Sequence, residues 1–406
     1  MVALIRVFPA LICWGLLSVP ALAGDIGGPR VFNWDSETLG DNARELRRGS
    51  DRLQPALDAL IAQAEKALLV EPVSVMLKKQ TPPSGDKHDY MSQAPYAWPN
   101  PNREDGLPYV RRDGERCPDA DSIADKGHKS TMVRNVETLA LAFFFTRDER
   151  YAEHCARLLR TWFLDPATRM NPNLNYTQRW PGLFEGRRYG ILDCWQFVTV
   201  VDCVGLLTGS KSWTKDDYLA MDAWFTEYLD WLLESKLGKP LAKSGNNHGS
   251  WYDVQVITYA LFLGEDELAA EFAEAAKQRR VEHFIRPDGS QPAELARTKS
   301  WDYSIYNLQA LFKVAFLAQH AGVDLWNYES EDGRSLRGAL DFLAPYGRDH
   351  SDWEYQQIKD WSNGGLIGLL YMAAVAYGEP EYRELADELS GGWSETHRRN
   401  LLMPAP

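Results

Sequence analysis

The chain has 406 residues, a formal net charge of −13 and 45% hydrophobic residues. That length allows one large or two ordinary domains, and that apolar content supports a sizeable core. The acidic balance argues against nucleic acid as a partner, but not against an acidic substrate, because a local basic cleft can oppose the overall charge.

Residues 1–23 read as a secretory signal peptide. Arg6 supplies the positive start, residues 7–19 are mostly apolar, and Ala21, Leu22 and Ala23 make a small-residue cleavage site before Gly24. The apolar run is too short and broken for a membrane span, and no later segment offers a long uncharged apolar stretch. The expectation is an exported protein, periplasmic or secreted, whose mature chain 24–406 forms a single domain. Removing Arg6 takes the charge from −13 to −14. Cys117, Cys155, Cys194 and Cys203 remain, and export permits disulfides without dictating any. No Cys-x-x-Cys or His-x-x-x-His spacing occurs, so a structural zinc site is not expected. The 15 Trp and 18 Tyr are mostly core candidates, although exposed Trp and Tyr faces also pack against sugar rings.

The segment 41–78 has helical periodicity, with Leu46, Leu53, Leu57, Leu60, Ile61, Ala64 and Leu68. The segment 81–120 resists regular structure: it holds Pro82, Pro83, Pro95, Pro99, Pro101, Pro108 and Pro118. A loop of that length is usually functional, and this one is a candidate lid over a cleft. The alternative is a surface loop clamped by its own aromatics. Helical patterns follow at 130–145 and 150–163. A polar loop at 171–190 leads to helices at 191–207 and 215–233. Further helical patterns fall at 265–284, 334–343, 353–360, 365–377 and 381–389. No convincing set of alternating strands appears. Successive helices joined by polar loops predict an all-α fold of helical hairpins, and a ring of hairpins fits the length.

Two stretches concentrate chemistry. In the first, 244–255, Ser244, Asn246 and Asn247 are possible N-caps, and Trp251, Val254, Ile257 and Leu261 suit a buried helix that stops at Gly264. His248 then lies at the positive end of a helix dipole, which lowers an imidazole pKa and attracts carboxylates. The plainer alternative is a polar cap with one hydrogen-bonded histidine. In the second, 288–308, Pro292 suits a first helical residue. On a continuous helix Lys299, Tyr303 and Asn307 share a face. Arg297 reaches that face only with its long side chain or a local break. A nearby cation favours the phenolate and makes Tyr303 a usable base; the alternative is that Tyr303 and Tyr306 simply pack.

Together these stretches resemble the alginate lyase family of polysaccharide lyases. The resemblance rests on Asn246-Asn247-His248-Gly249-x-Trp251-Tyr252-Asp253-x-Gln255 and on Glu294-Leu295-Ala296-Arg297-Thr298 with Tyr303-Ser304 and Asn307-Leu308. The loop 84–99 and the loop 171–190 look like the family's too, so the similarity spans roughly 80–345. It is closer to the divergent branch that includes glucuronan lyases, because Arg297 stands one position nearer to Tyr303 than in alginate lyases proper. The resemblance implies an incomplete (α/α) toroid with a long substrate cleft, no cofactor or metal, and β-elimination at a uronic acid residue. It carries the family's catalytic Asn, His, Arg and Tyr onto Asn247, His248, Arg297 and Tyr303.

The residue types fit that transfer. Abstracting H5 of a uronate needs donors that stabilise the dianion forming on its carboxylate, and Asn247, His248 and Arg297 are such donors. A base must take H5 and an acid must protonate the departing O4. Where H5 and O4 share a face, as in mannuronate or glucuronate polymers, Tyr303 can do both. Where they lie on opposite faces, as in guluronate, His248 is the more natural base. Lys87, His88, Gln178 and Arg187 are candidate binders of the acidic polysaccharide, with loop-internal hydrogen bonding as the alternative. Two rivals remain. One is an α/α-barrel glycoside hydrolase using a pair from Asp193, Asp253 and Glu294; the other is a non-catalytic exported binder of acidic glycans.

Overall fold

The computed structural model describes residues 28–392 and 394–404. The leader at 1–23 and its cleavage site lie outside them.

The helices follow one another as hairpins. Helices α1 (Ser36–Arg47) and α2 (Gln54–Ala67) take the place of one continuous pattern over 41–78. They part where Gly49 takes φ +84, a left-handed conformation that glycine adopts freely. Next come α3 (Asp125–Thr146), α4 (Glu149–Leu159), α5 (Phe197–Leu206), α6 (Lys215–Glu234) and α7 (Gly238–Ala242). Then come α8 (Asn247–Leu263), α9 (Asp266–Ala276), α10 (Pro292–Leu295), α11 (Ser300–His320), α12 (Leu336–Leu343), α13 (Gly364–Tyr377) and α14 (Pro380–Ser390). Alternate helices pack side by side, α3 on α5, α5 on α8, α8 on α11 and α11 on α13, while α4, α6, α9 and α14 back them from outside. This is an incomplete (α/α) toroid. Its ends are tied by the C-terminal segment, where Arg398 bonds Glu137 and Thr138 and Asn42 bonds the Leu401 carbonyl.

Helix α8 is the hub. Its residues from Gly249 to Phe262 are all buried, so it is enclosed on every side rather than amphipathic. Asn246 caps its start by accepting from the His248 N–H, and Gly264 ends it at φ 76. A Cβ on Gly249 would lie 2.4 Å from the Ser244 carbonyl and 2.6 Å from Arg280 Nη1. The motif therefore needs glycine there for close packing. Buried Asp253, one turn further on, accepts two bonds from Arg280 and one from Arg279. The stretch Arg188–Leu206 is apolar enough to cross a membrane, but 72% of its apolar window is buried inside the fold.

Sheet is confined to the loops. Strands β1 (Met91–Gln93), β2 (Ala97–Trp98), β3 (Val110–Arg111) and β4 (Tyr176–Arg179) form two small sheets, β1 parallel to β4 and β2 antiparallel to β3. One helical expectation fails: 353–360 is an irregular strap. Its backbone bonds the turn before α11, Ser300 N–H to the Gln356 carbonyl and Ile358 N–H to the Thr298 carbonyl, while Trp353 and Trp361 pack on Trp301. Tertiary pairing and aromatic packing outweigh a weak local period. Cys117, Cys155, Cys194 and Cys203 are buried and free.

Candidate active site

The second chemistry-rich stretch is not one helix. Pro292 opens the single turn of α10, residues 296–299 break the path, and α11 begins at Ser300 with Lys299 as its cap. The break swings Arg297 back over the start of α11, and its guanidinium stacks on the Tyr303 ring at 3.8 Å. Lys299 leaves the shared face and lies 5.6 Å over the Tyr96 ring. Asn307 is not part of the site: it is buried, bonded to Ser250 and Gln291.

The loop 81–120 reaches this group at two points. The Tyr96 hydroxyl lies 2.8 Å from the Tyr303 hydroxyl. Asp113 holds Arg297 in a two-point grip, 3.0 Å to Nε and 2.8 Å to Nη2, and also takes Arg111 at 2.7 Å. The turn fits because residue 114 is glycine at φ +76, where a Cβ would lie 2.4 Å from Thr298 Oγ1.

Asn247 is fixed by Glu294. The carboxylate accepts from the Asn247 backbone N–H at 2.6 Å and from its side-chain amide at 2.8 Å, leaving one amide hydrogen free to donate. His248 is held by Asn246, whose Oδ1 accepts from the His248 backbone N–H at 3.3 Å and lies 3.1 Å from Nδ1. An oxygen that accepts the backbone N–H can only accept, so the proton sits on Nδ1 and Nε2 carries a lone pair. The His248 ring also packs on Tyr189 at 4.7 Å.

Electrostatics follow from burial and a cluster of guanidinium groups. Burial and then Arg297, Arg187, Arg188 and Arg111 push His248 down to about 3, so it is neutral at ordinary pH. The helix dipole was the expected cause, but desolvation and cations dominate. Tyr303 moves opposite to the expected direction: burial and the neighbouring Tyr96 raise it, and Arg297 opposes without prevailing. Burial raises Glu294 to about 6 despite the bonds from Asn247. Burial would raise Asp113 as well, but its bonds from Arg297 and Arg111 outweigh it and hold it well below the usual carboxylate range.

Arg187 lies beside the site, 5.6 Å over the Tyr189 ring and among the cations that act on His248, and it holds Gln178. Gln178 has φ 47, an uncommon conformation for a side-chain-bearing residue, often found at functional positions. Its backbone N–H bonds Ser92, its amide reaches Asp193 at 3.2 Å, and its carbonyl and Oε1 take Arg187. Lys126 also bonds Asp193 at 3.1 Å. Beside His248 opens a cavity of about 420 Å³ lined by Arg188, Tyr189, Lys243, Ser244 and Asn246. Lys87 and His88 are not brought to this group. The Lys87 carbonyl accepts from Lys78, and His88 Nδ1 binds the Arg169 carbonyl at 2.6 Å, so both act within the loop framework.

Sequence reasoning missed Asp113, Arg111 and the pairing roles of Tyr96 and Glu294. Tyr96 lies in the family-like loop 84–99 and Glu294 in the second chemistry-rich stretch; Asp113 carried no local signal and is revealed only by its partner 184 positions away. The carboxylates available to a hydrolase are each engaged: Asp193 with Ser92 and Lys126, Asp253 with two arginines, and Glu294 with Asn247. Among the described residues, no group of three or more His, Cys, Asp or Glu side chains could hold a metal ion.

The sequence profile of the alginate lyase family matches residues 74–353. A solved alginate lyase from Bacteroides ovatus is 37% identical, with a TM-score of 0.88, covering 92% of this chain and 99% of its own. Alginate lyase A1-III from Sphingomonas species A1 is 17% identical, with a TM-score of 0.58 over 91% of this chain and 95% of its own. A variant of A1-III complexed with a tetrasaccharide gives 0.60, again at 17% identity, over 95% and 99%; at that identity the likeness shows the fold. Among curated proteins none matches. With the profile covering more than half of the chain and the Bacteroides enzyme matching nearly all of it, this chain belongs to the alginate lyase family and is a polysaccharide lyase.

Proposed function

We propose that the protein cleaves a 1,4-linked uronic acid polymer, glucuronan or mannuronate-rich alginate, by β-elimination, leaving unsaturated uronate ends. The observation that carries this reading is the pairing of the Tyr303 and Tyr96 hydroxyls at 2.8 Å, over a guanidinium and beside the Asn247–His248 corner. The substrate carboxylate is received by the free Asn247 amide hydrogen and by Arg297 Nη1, the terminal nitrogen that Asp113 does not hold. Both stabilise the dianion as H5 leaves. Burial holds Tyr303 as a phenol, so it first loses its proton to solvent, and turnover should rise with pH. The phenolate then takes H5, the C5–H electrons form the C4=C5 bond, the C4–O4 bond breaks, and the proton passes to O4, which restores the phenolate. Tyr189, Arg188 and Lys243 supply ring contact and charge for an adjoining uronate.

One observation favours a second arrangement for guluronate. The His248 tautomer leaves the Nε2 lone pair free, which suits a base on the opposite face, with Tyr303 then acting as the acid.

We further propose that the loop 81–120 is a lid, since Tyr96 and Asp113 engage Tyr303 and Arg297; a folded deletion of its tip with unchanged polymer kinetics would exclude this. Export is proposed from the leader, and sequencing the mature N-terminus should give Gly24; retention of residues 1–23 in an active protein would overturn it. The activity itself is tested by incubating the enzyme with polyglucuronate, polymannuronate, polyguluronate and glycosaminoglycans. Near-ultraviolet absorbance from new unsaturated ends should appear with the first two. Chain cleavage without such absorbance would defeat the proposal.

A further inference from the structure

A second cavity, of about 500 Å³, opens next to the β1–β4 sheet. It lies on the face opposite the active-site network. Side chains alternate along a strand: Ser92 and Gln178 point to Asp193, whereas Met91, Gln93 and Arg179 line this cavity. The volume falls within the roughly 300–1,000 Å³ of small-molecule sites.

Its lining combines an apolar floor with unspent polar groups. Met91, Ile123 and Pro83 form a surface on which a sugar ring can lie; Thr81 and Ser122 stand at the rim. Gln93 is only 6% exposed, and its amide nitrogen has no hydrogen-bond partner. A buried donor left unpaired is a cost that a ligand oxygen would remove. Its register partner Arg179 uses Nε on Glu185 at 2.9 Å. The two Nη groups make no hydrogen bond among the described residues, which leaves a fork suited to a carboxylate. Glu185 stands beside it as an acceptor for a hydroxyl.

We propose that this cavity is a second uronate-binding site, which holds a distal residue of the polymer with its carboxylate on Arg179 and a ring oxygen or hydroxyl on Gln93. The site rests on the activity proposed above and extends it. Gln93 and Arg179 adjoin Ser92 and Gln178 along the paired strands, so this cavity and the Asp193 side are the two faces of one small sheet. An anchor here raises the local concentration of substrate without touching the reacting atoms.

The test compares long polymannuronate with trimannuronate as substrates of the parent, Arg179→Ala and Ser122→Trp. Ser122 is exposed at the rim, outside the loop 81–120, so a tryptophan there blocks the cavity even where Arg179→Ala fails to fold. The expected result is a rise in KM for the polymer of about tenfold, with kcat within about twofold and trimannuronate kinetics unchanged. An unchanged polymer KM in the folded variants, or KM values for polymer and trimer that rise together, would overturn the site. If the parent cleaves no uronate polymer, the proposed activity has failed, and the site is read by retardation in gels cast with polymannuronate or polyglucuronate. Retardation of the parent but not of Arg179→Ala supports the site; equal mobility of the two rejects it.

Discussion

Replacing Tyr303 by Phe removes one oxygen and keeps the ring on which Arg297 stacks at 3.8 Å. The lost oxygen makes one hydrogen bond, to Tyr96, worth about 0.5–1.5 kcal/mol of stability. Tyr96→Phe breaks the same bond from the other side. The two variants should therefore lose similar stability in urea unfolding, about 1 kcal/mol each, and differ sharply in rate. Tyr303→Phe should lower kcat by roughly 10²–10⁴, the range for a lost general acid or base. Tyr96→Phe should lower it far less. Tyr96 is also one of the groups that raise the Tyr303 pKa, so its removal should move the alkaline rise of kcat to lower pH. The assay is near-ultraviolet absorbance on polymannuronate and polyglucuronate from mildly acid to alkaline pH. Equal loss of rate in the two variants would show that the hydroxyl pair matters only as a structural contact. Near-parental turnover by Tyr303→Phe would remove Tyr303 as base and acid.

Glu294 should set an acid limb. Its folded pKa of about 6 exceeds the ordinary 4.5, so its contribution to stability is fully present below 4.5 and is lost as pH rises through 6, about 2 kcal/mol in all. Activity should run the other way, falling below pH 6 as protonation removes one of the two acceptors for Asn247. Glu294→Gln should abolish that inflection and lower kcat at every pH; an unchanged acid limb in the variant would assign it elsewhere. His248→Ala should slow elimination on polyguluronate by about 10²–10⁴, the range for a lost general base, and far less on polymannuronate, where the neutral ring, with its Nδ1 proton on Asn246, donates nothing to the substrate carboxylate. Because His248 titrates near 3, it should contribute no inflection between pH 5 and 8; an inflection in that range abolished by His248→Ala would refute the buried neutral ring.

Much of the helical order was legible in the sequence because burial imposes its period; local rules gave the Gly264 stop of α8 and narrowed its cap to Ser244, Asn246 or Asn247, of which the fold uses Asn246. A break near Arg297 was one of two readings its spacing left open, and the sequence did not choose between them. Pro292 and the following apolar residues fit a continuous helix, and only contacts with Asp113 and the strap at 356–358 show that the chain turns there. The break is what puts Arg297 on Tyr303 despite the unfavourable six-residue spacing. The sign of the Tyr303 shift was lost for a similar reason. Sequence supplies the cations Arg297 and Lys299, but not the burial, the second phenol or the carboxylate of Asp113 that counter them. Lys87 and His88 stood in a motif-rich loop, yet motif membership does not distinguish residues that shape a loop from residues that face a ligand.

The charge distribution leads to a last expectation. A chain of net charge −13 repels a polyuronate at long range, while Arg111, Arg187, Arg188 and Arg297 surround His248 at short range. Salt acts differently on the two. At about 0.1 M the screening length is roughly 10 Å, which removes most of the distant repulsion and leaves contacts inside the half-buried site largely intact. Higher salt then weakens those contacts as well. The value of kcat/KM on long polymer should therefore pass through a maximum as sodium chloride rises from a few millimolar to molar. On trimannuronate, which carries fewer charges into the field, the initial rise should be smaller. A steady fall from the lowest salt on both substrates would show that the local cations govern the approach as well as the grip, and that the acidic surface has no kinetic effect.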